Sequence, residues 1–337
     1  MGFIICYEPG PKSSSSRQSD QRSIIFLVLQ PSNFMATAFN GVRIRIGGSL
    51  QDQVVYDVEN ASSCEPFRVK KDGLFGFSEG CLSMKRWDEL NRFFNTTGVI
   101  VTFGLNALYQ RHERSSKSWE GRWNSTNAYD FIMYTHSKGY AIDSWEFGNE
   151  LSGDGVEAKI KAELYAKDVI ELKRIVDEVY RNEDRSPFIA APGGFFNEGW
   201  YTKLLKESGA GTVNLVTHHI YNLGPGNDPY LVSKILDPKY LSKIESTYSR
   251  VEKTIKTNGP WASSCVSESG GAYNSGGEYV SDTFVNSFWY LDQLGMASKY
   301  DTKVYCRQSL VGGYYGLLNA TTFHPNPDYY RLDIINC

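Results

Sequence analysis

The sequence has no long hydrophobic run and almost no bias in charge. Its longest aliphatic stretch, residues 24–29, is far shorter than the roughly 18–20 apolar residues that span a membrane. Its formal net charge is only -3 at pH 7, so no general positive field would attract nucleic acid or anionic lipid. These absences argue against a transmembrane segment and against a nucleic-acid partner.

Metal-binding patterns are also scarce. The six cysteines include no Cys-x-x-Cys pair, which leaves a zinc site unsupported. Among the five histidines, His218 and His219 are adjacent on a predicted strand, where neighbouring side chains point to opposite faces and cannot share one ion. The sequence therefore predicts no metal and no cofactor.

The features that bear on the cellular compartment disagree. Cys64 and Cys81 bracket a short polar loop, and their spacing fits a local disulfide as well as two thiols in a reducing compartment. The chain start lacks the pattern of a secretory signal, and we expect residues 1–22, with their serine-rich tract, to be disordered. Tripeptides that accept N-glycans in the secretory pathway begin at Asn60, Asn95, Asn124 and Asn319.

What the sequence does contain is aromatic side chains and a regular alternation of strand and helix patterns. The 22 Tyr, 18 Phe and 7 Trp supply enough burial for a folded domain. Runs rich in β-branched and aromatic residues predict strands at 42–46, 99–105, 144–147, 188–191, 215–221, 265–267 and 303–307. Apolar residues at helical spacing predict helices at 83–94, 157–180, 240–257 and 282–294.

Seven strand-then-helix units without a glycine-rich phosphate loop predict an α/β fold of the (β/α) barrel type rather than an open doubly wound sheet. An eight-stranded TIM-type barrel needs one more strand, and residues 23–30 are the one segment before residue 42 that could supply it. We therefore assign residues 23–337 to a single barrel domain that carries the chemistry.

Two glutamates follow strands in positions suited to catalysis, because reactive residues lie at the C-terminal ends of barrel strands. Glu150 follows one strand and Glu268 another three strands further on, so the two face each other across the barrel mouth. Carboxylates about 5 Å apart are what retaining glycoside hydrolysis requires. The alternative is that both are ordinary loop carboxylates. Glu146 points inward as well, and we expect it to pair with Arg43 or Arg45 for structural reasons.

The segment from Gly76 to Gly80 matches the Gly-x-Ser-x-Gly pattern of serine hydrolases, with Ser78 as the nucleophile. That motif must follow a strand and open into a helix. Residues 69–73 have the composition of a turn instead, so we interpret Ser78 as a loop residue.

Several motifs together carry a family resemblance. They are Arg45-Ile-Gly-Gly48, Phe103-Gly-Leu-Asn-Ala107, Trp145-Glu-Phe-Gly-Asn-Glu150, His218-His-Ile-Tyr221, Ser267-Glu-Ser-Gly-Gly271 and Arg307-Gln308. In this order they resemble the heparanase-like proteins of glycoside hydrolase family 79, with the plant branch fitting best. The resemblance extends from about residue 41 to residue 330.

The resemblance implies a (β/α)8 barrel and a retaining β-glucuronidase that acts on a glucuronic-acid-containing glycan or a small glucuronide. Glu150 matches the acid/base of that family and Glu268 its nucleophile. Asn149 corresponds to the residue that binds the 2-hydroxyl of the sugar, Tyr221 to one that orients the nucleophile, and Arg45 to one that steadies it. Residues that match contacts to glucuronic acid or its subsite are Ser49, Asn106, Tyr273, Gln308 and Tyr315.

The chain also departs from the family pattern. Relatives have a signal peptide and a first barrel strand before residue 45, and a last barrel helix and a β-sandwich domain after residue 330. We therefore expect an incomplete barrel with its first strand replaced. The family implies an extracellular or a vacuolar or lysosomal location, with or without peripheral membrane association. The alternative function is a catalytically impaired barrel fragment that only binds carbohydrate.

Overall fold

Eight strands close into a barrel in the computed structural model, which describes residues 2–7, 41–59, 64–153, 155–322 and 324–330. Neighbours around the barrel are neighbours in the chain, and seven of these strands run parallel. The predicted α/β barrel is confirmed. The strands are β1 (Gly2–Tyr7), β2 (Arg43–Gly47), β3 (Ile100–Leu105), β4 (Ser144–Phe147), β5 (Phe188–Phe195), β6 (Leu215–Ile220), β7 (Ser263–Ser269) and β8 (Val304–Arg307).

Strand β1 differs from the rest because it runs antiparallel to both of its neighbours, β8 and β2. Cys6 on β1 is joined by a disulfide to Cys306 on β8. The prediction that residues 1–22 are disordered is therefore wrong for residues 2–7. This run is too short for a signal sequence, but it has the length of an average strand. The strand predicted at residues 23–30 lies outside the described residues, as do residues 8–22.

Helices connect the parallel strands and cover the outside of the barrel. The six longer ones among the described residues are α1 (Met84–Thr97), α2 (Thr126–Ser137), α3 (Ala162–Val179), α4 (Glu198–Ser208), α5 (Glu245–Asn258) and α6 (Asn286–Lys299). Shorter helical turns lie at Gln51–Gln53, Leu74–Gly76, Leu231–Ile235, Pro238–Leu241, Ser242–Ile244 and Pro327–Tyr330.

The ends of α1 show why the sequence pattern located it well. The hydroxyl of Ser83 accepts a hydrogen bond of 3.3 Å from the amide of Arg86 and so caps the first turn. Gly98 ends the helix with a left-handed φ of 66°. The helix predicted at 240–257 is instead divided into short turns followed by α5. That prediction failed at its start because apolar periodicity does not distinguish an α-helix from a succession of shorter turns.

Three two-stranded sheets lie on connections that leave the C-terminal ends of barrel strands. Val54–Asp57 pairs with Gly80–Ser83, His112–Ser115 with Ser118–Glu120, and Gly224–Pro225 with Ala272–Tyr273. The first two follow β2 and β3, and the third joins the segments after β6 and β7. All three therefore build up one rim of the barrel, which is the rim where reactive residues are expected.

Several surface features of the sequence can be located. Asn95 and Asn319 are exposed, Asn124 is half-buried, and Asn60 lies outside the described residues, so glycosylation and compartment stay predictions. Cys64 and Cys81 form a disulfide, which decides between the two alternatives left open by their spacing. None of the helices in the described part of the chain combines the length and apolar character of a membrane span.

An aromatic cluster joins the helices to the barrel wall. Trp87 on α1 is completely buried, and its ring lies 4.9 Å from those of Phe103 on β3 and Phe131 on α2. Its indole nitrogen donates a hydrogen bond of 3.0 Å to the hydroxyl of Thr135. This one side chain therefore contacts a strand and two turns of a neighbouring helix, and it satisfies its polar group inside the core.

We expect Trp87→Ala to lower the free energy of unfolding by about 3–5 kcal/mol, because it removes a large buried ring and leaves a cavity. The matched control is Tyr230→Ala, since 68% of Tyr230 is exposed, and its loss should stay within about 0.5 kcal/mol. Urea unfolding followed by tryptophan fluorescence and circular dichroism measures both. Equal losses in the two variants would contradict this account of the core.

Candidate active site

Glu150 lies just beyond β4, where the backbone turns sharply. Gly148 and Glu150 have left-handed φ angles of 71° and 56°, a conformation that non-glycine residues adopt at a cost in energy. The amide of Glu150 donates a hydrogen bond of 2.7 Å to the carbonyl oxygen of Gly193 on β5. Gly193 is left-handed too, and a Cβ there would lie 2.9 Å from a carboxylate oxygen of Glu146. These close approaches hold Glu150 at the barrel mouth.

Glu268 lies near the end of β7, at a break in the strand register. On the neighbouring strand β6, His218 pairs with Val266 while His219 pairs with Glu268, so β7 contains one extra residue between the two pairs. Such a bulge changes the direction of the side chains beside it. The predicted strand stopped at residue 267, whereas β7 extends through Glu268 to Ser269.

The two glutamates come close together, as the sequence predicted. One carboxylate oxygen of each, together with a ring nitrogen of His219, lie within 4.8 Å of one another. Glu150 is 9% exposed and Glu268 is 8% exposed. Two carboxylates that are this close and this buried repel each other unless cations or hydrogen-bond donors compensate them.

Arg45 on β2 supplies most of that compensation. It is completely buried, and its guanidinium donates hydrogen bonds to Glu146 at 2.5 Å, to Glu268 at 2.9 Å and to the side-chain oxygen of Asn149 at 3.0 Å. Burial opposes the charge on Arg45, but the two carboxylates outweigh it and raise the pKa of the guanidinium. Glu146 thus pairs with Arg45, one of its two expected partners, while Arg43 pairs with Asp143.

Tyr221 and Gln308 complete the surroundings of Glu268. The hydroxyl of Tyr221 donates a hydrogen bond of 2.7 Å to the second oxygen of Glu268 and also contacts the side-chain amide of Gln308. Burial would raise the pKa of Glu268, but the charges of His219 and Arg45 and the hydrogen bonds from Tyr221 and Arg45 outweigh it. The pKa therefore lies below the ordinary value of a glutamate, and Glu268 is held in its ionised form.

His219 contacts the other glutamate. Its Nδ1 lies 2.9 Å from a carboxylate oxygen of Glu150, and its ring is buried. The sequence pattern suggested for His219 only the role of a metal ligand, which was rejected, and gave no sign of this contact. Period-two alternation along β6 could have placed His219 at the site, because residues 219 and 221 point to the same face and Tyr221 was already placed at the site. His218 points the other way, where burial lowers its pKa to about 3.

Asp52 is the second residue that the sequence analysis missed. Its carboxylate accepts hydrogen bonds of 2.8 Å from the amide of Ala107 and 2.7 Å from the amide of Asn149. It thereby connects the loop after β2 to the loops after β3 and β4. Burial raises its pKa to about 7 even though both hydrogen bonds act in the opposite direction. Nothing in the local sequence distinguishes this aspartate from an exposed one.

The glutamates open into a cleft of about 850 Å³. Besides Glu150 and Glu268, five of the predicted site residues line it, namely Ser49, Tyr221, Tyr273, Gln308 and Tyr315. Asn106 and Asn149 are not among the lining residues. The side-chain amide of Asn106 donates to the carbonyl oxygen of Val54 and accepts from the amide of Leu108, so both of its ends hold neighbouring loops together.

Two other interpretations of the sequence can now be assessed. Ser78 lies on a half-buried loop with its hydroxyl against the backbone of Arg68 and Glu79, and it precedes strand Gly80–Ser83 instead of standing between a strand and a helix. Glu150, His219 and Glu268 are close enough to surround an ion. However, the Arg45 guanidinium already lies 2.9 Å from Glu268, and its positive charge disfavours a second cation at that carboxylate.

The fold is a (β/α) barrel, and solved structures that share it include glycoside hydrolases. The solved structure of a 4-O-α-L-rhamnosyl-β-D-glucuronidase from Fusarium oxysporum has the same fold, with a TM-score of 0.60 and 19% identity over 87% of this chain and 60% of that one. The chain belongs to glycosyl hydrolase family 79, because the family's N-terminal domain matches residues 13–295.

Relatives within the family include plant proteins of high identity. Heparanase-like protein 2 of Arabidopsis thaliana is 63% identical over 294 residues, which are 87% of this chain and 54% of the relative. Baicalin-beta-D-glucuronidase of Scutellaria baicalensis is 38% identical over 87% of this chain and 58% of the relative. The chain thus spans little more than half the length of these relatives.

We expect Arg45→Met to lower the free energy of unfolding by about 3–5 kcal/mol, because it leaves two buried carboxylates without their cation. Arg45→Met combined with Glu146→Gln should lose less than Arg45→Met alone, since one buried charge is then removed as well. Arg43→Met is the control and should cost less than either, because its partner Asp143 is partly exposed. Chemical denaturation compares all of them. Identical losses for the single and double Arg45 variants would disprove the role of charge.

Proposed function

We propose that this chain is the catalytic barrel of a retaining β-glucuronidase, with Glu268 as nucleophile and Glu150 as acid/base. The observation that carries the proposal is the approach of the two carboxylates to within 4.8 Å. Retaining enzymes hold their carboxyl groups about 5 Å apart, whereas inverting enzymes leave roughly 6.5–9.5 Å for a water molecule. Membership of family 79 and the name of a relative that is 38% identical, a glucuronidase, support the choice of sugar.

The environments of the two glutamates fit their proposed roles. The nucleophile must be ionised, and the donors Arg45 and Tyr221 hold Glu268 in that form. Glu268 attacks the anomeric carbon and forms a glycosyl ester, while Glu150 protonates the departing oxygen. Glu150 then accepts a proton from the water that hydrolyses the ester. The contact with His219 occupies one carboxylate oxygen of Glu150 and leaves the other for this proton transfer.

Asn149 is oriented to bind the sugar. Its side-chain oxygen accepts a hydrogen bond from Arg45, so the NH₂ group is the end that remains free to donate to a substrate hydroxyl. The backbone amide of the same residue is fixed by Asp52. A hydrogen bond from this group to the 2-hydroxyl would strengthen as positive charge develops on the ring in the transition state.

We expect the chain to hydrolyse an aryl β-glucuronide with the β-anomer of glucuronic acid as the first product, detected by proton NMR. Glu268→Gln should reduce turnover to background, because no nucleophile remains. Glu150→Gln should slow a substrate with a basic alcohol as leaving group by about 10²–10⁴-fold, and slow an activated phenol much less, because a phenolate needs no proton to depart.

The matched control is Glu157→Gln, which removes a partly exposed carboxylate that lines the same cleft and should keep near-normal turnover. Circular dichroism first establishes that every variant is folded. A folded wild-type chain that binds glucuronides without cleaving them would refute the enzymatic proposal and favour the alternative of a carbohydrate-binding barrel.

We expect Tyr221→Phe to move the acidic limb of the pH profile of kcat/KM to higher pH. The hydroxyl of Tyr221 donates to ionised Glu268 and lowers its pKa, so its removal lets the protonated, inactive form persist to higher pH. Tyr273→Phe is the control, because Tyr273 lines the cleft with 42% of its surface exposed. An acidic limb that stays in place in Tyr221→Phe would show that this hydrogen bond does not tune the nucleophile.

A further inference from the structure

Residues 64–81 form a hairpin, and its tip contributes to the wall of the active-site cleft. Its two legs run antiparallel, with a bridge between Val69 and Phe77. Backbone hydrogen bonds of 2.8–2.9 Å connect Lys70 to Gly76, Ser78 to Arg68 and Cys81 to Glu65. The Cys64–Cys81 disulfide closes the open end. We call this element the 64–81 hairpin.

The tip of the hairpin contributes directly to the cleft. Lys71, Gly73, Phe75 and Gly76 lie in the cleft lining together with Glu150 and Glu268. Phe75 has left-handed backbone angles, with φ of 54° and ψ of 21°, and a Cβ at Gly73 would lie 2.0 Å from the carbonyl oxygen of Phe77. The tip is therefore a tight turn with a defined shape, and substrate that fills the cleft contacts it.

The hairpin is anchored to the rest of the fold by side chains that are only partly buried. Within residues 64–79, all of which are described, no side chain is buried, and Val69 is 85% exposed. Two partly buried side chains, Phe67 and Leu74, pack against the main core, and the side chain of Gln53 donates a hydrogen bond of 2.9 Å to the carbonyl oxygen of Leu74. Segments with few buried contacts open at low cost in free energy.

The disulfide connects the hairpin to a rigid part of the fold. Cys81 belongs to strand Gly80–Ser83, which pairs with Val54–Asp57 and leads directly into α1. The bond to Cys64 therefore fixes the first leg of the hairpin to an ordered strand. In contrast, the residues that contact the two glutamates lie elsewhere. Arg45 belongs to β2, His219 belongs to β6, and Tyr221 directly follows β6, so their positions do not depend on the hairpin.

We propose that the Cys64–Cys81 disulfide positions the cleft wall for substrate, so that affinity depends on it while the chemical step does not. Its kinetic consequence rests on the proposed function. A dithiol reductant would break the bond by donating two electrons and two protons to it, which leaves two protein thiols and a reductant oxidised to its own disulfide. The hairpin would then spend only a fraction of the time against the cleft. A fall of that fraction to about one tenth raises the apparent dissociation constant about 10-fold.

The test compares the wild-type chain with the double variant Cys64→Ser/Cys81→Ser. We expect KM for an aryl β-glucuronide to rise about 10-fold, as that population shift implies, with kcat changed less than about 2-fold. A dithiol should raise the KM of the wild type and leave the variant unaffected. Hydrogen exchange measured by mass spectrometry should accelerate in residues 65–79 and stay unchanged in β4 and β7, which carry or precede the two glutamates.

The control is Cys6→Ser/Cys306→Ser, which removes the disulfide in the barrel wall. It should lower stability without accelerating exchange in residues 65–79. An unchanged KM in the active Cys64→Ser/Cys81→Ser variant overturns the inference and leaves the proposed function intact. If no glucuronide is cleaved by the wild type, the proposed function fails, and exchange alone decides. Faster exchange in 65–79 of the variant then supports the positioning role, and unchanged exchange overturns it.

Discussion

The buried guanidinium of Arg45 is the interaction on which the rest of the site depends. It joins β2 to groups carried by β4 and β7 through its bonds to Glu146, Asn149 and Glu268. A lone cation at this depth would be very costly, and so would a pair of buried carboxylates. The positive charge of Arg45 and the negative charges of Glu146 and Glu268 compensate one another. The position of Glu268 is therefore fixed by contacts inside the barrel rather than by a flexible loop.

Departures from regular strand geometry also help to position Glu150 and Glu268. The extra residue in β7 directs Glu268, and the left-handed residues Gly148 and Glu150, on either side of Asn149, direct Glu150. The turn around Asn149 is held by two specific contacts, because the amide of Glu150 donates to the carbonyl oxygen of Gly193 and the amide of Asn149 donates to the carboxylate of Asp52. The parallel barrel alone would bring these residues to the same rim, but it would not bring their oxygens within 4.8 Å.

The sequence predicted the barrel and the glutamate pair because both depend on local signals. Strand and helix periodicity and polar residues at strand ends are visible in the chain. The role of Asp52 could not be predicted in this way, since it depends on partners 55 or more positions distant. Alternation along β6 places His219 on the same face as Tyr221, but no local signal identifies its partner Glu150. Asn106 is a different case, because the family resemblance implied a substrate contact whereas backbone groups occupy both ends of its amide. Strand β1 was missed because six residues carry too little pattern to distinguish a strand from a disordered start.

Glu146 acquires a second role once the proposed mechanism is considered. In the glycosyl-enzyme intermediate Glu268 becomes a neutral ester, so Arg45 would lose one of its two carboxylate partners in the middle of the reaction. The bond from Arg45 to Glu146 keeps the guanidinium paired throughout, and the cation therefore never becomes an uncompensated buried charge. Before the attack, Arg45 faces the two carboxylates of Glu146 and Glu268, so these three side chains together carry a net negative charge. After the ester forms, the single positive charge of Arg45 equals the single negative charge of Glu146. Part of the electrostatic cost of holding an ionised nucleophile in the resting site is thus released when the covalent bond forms.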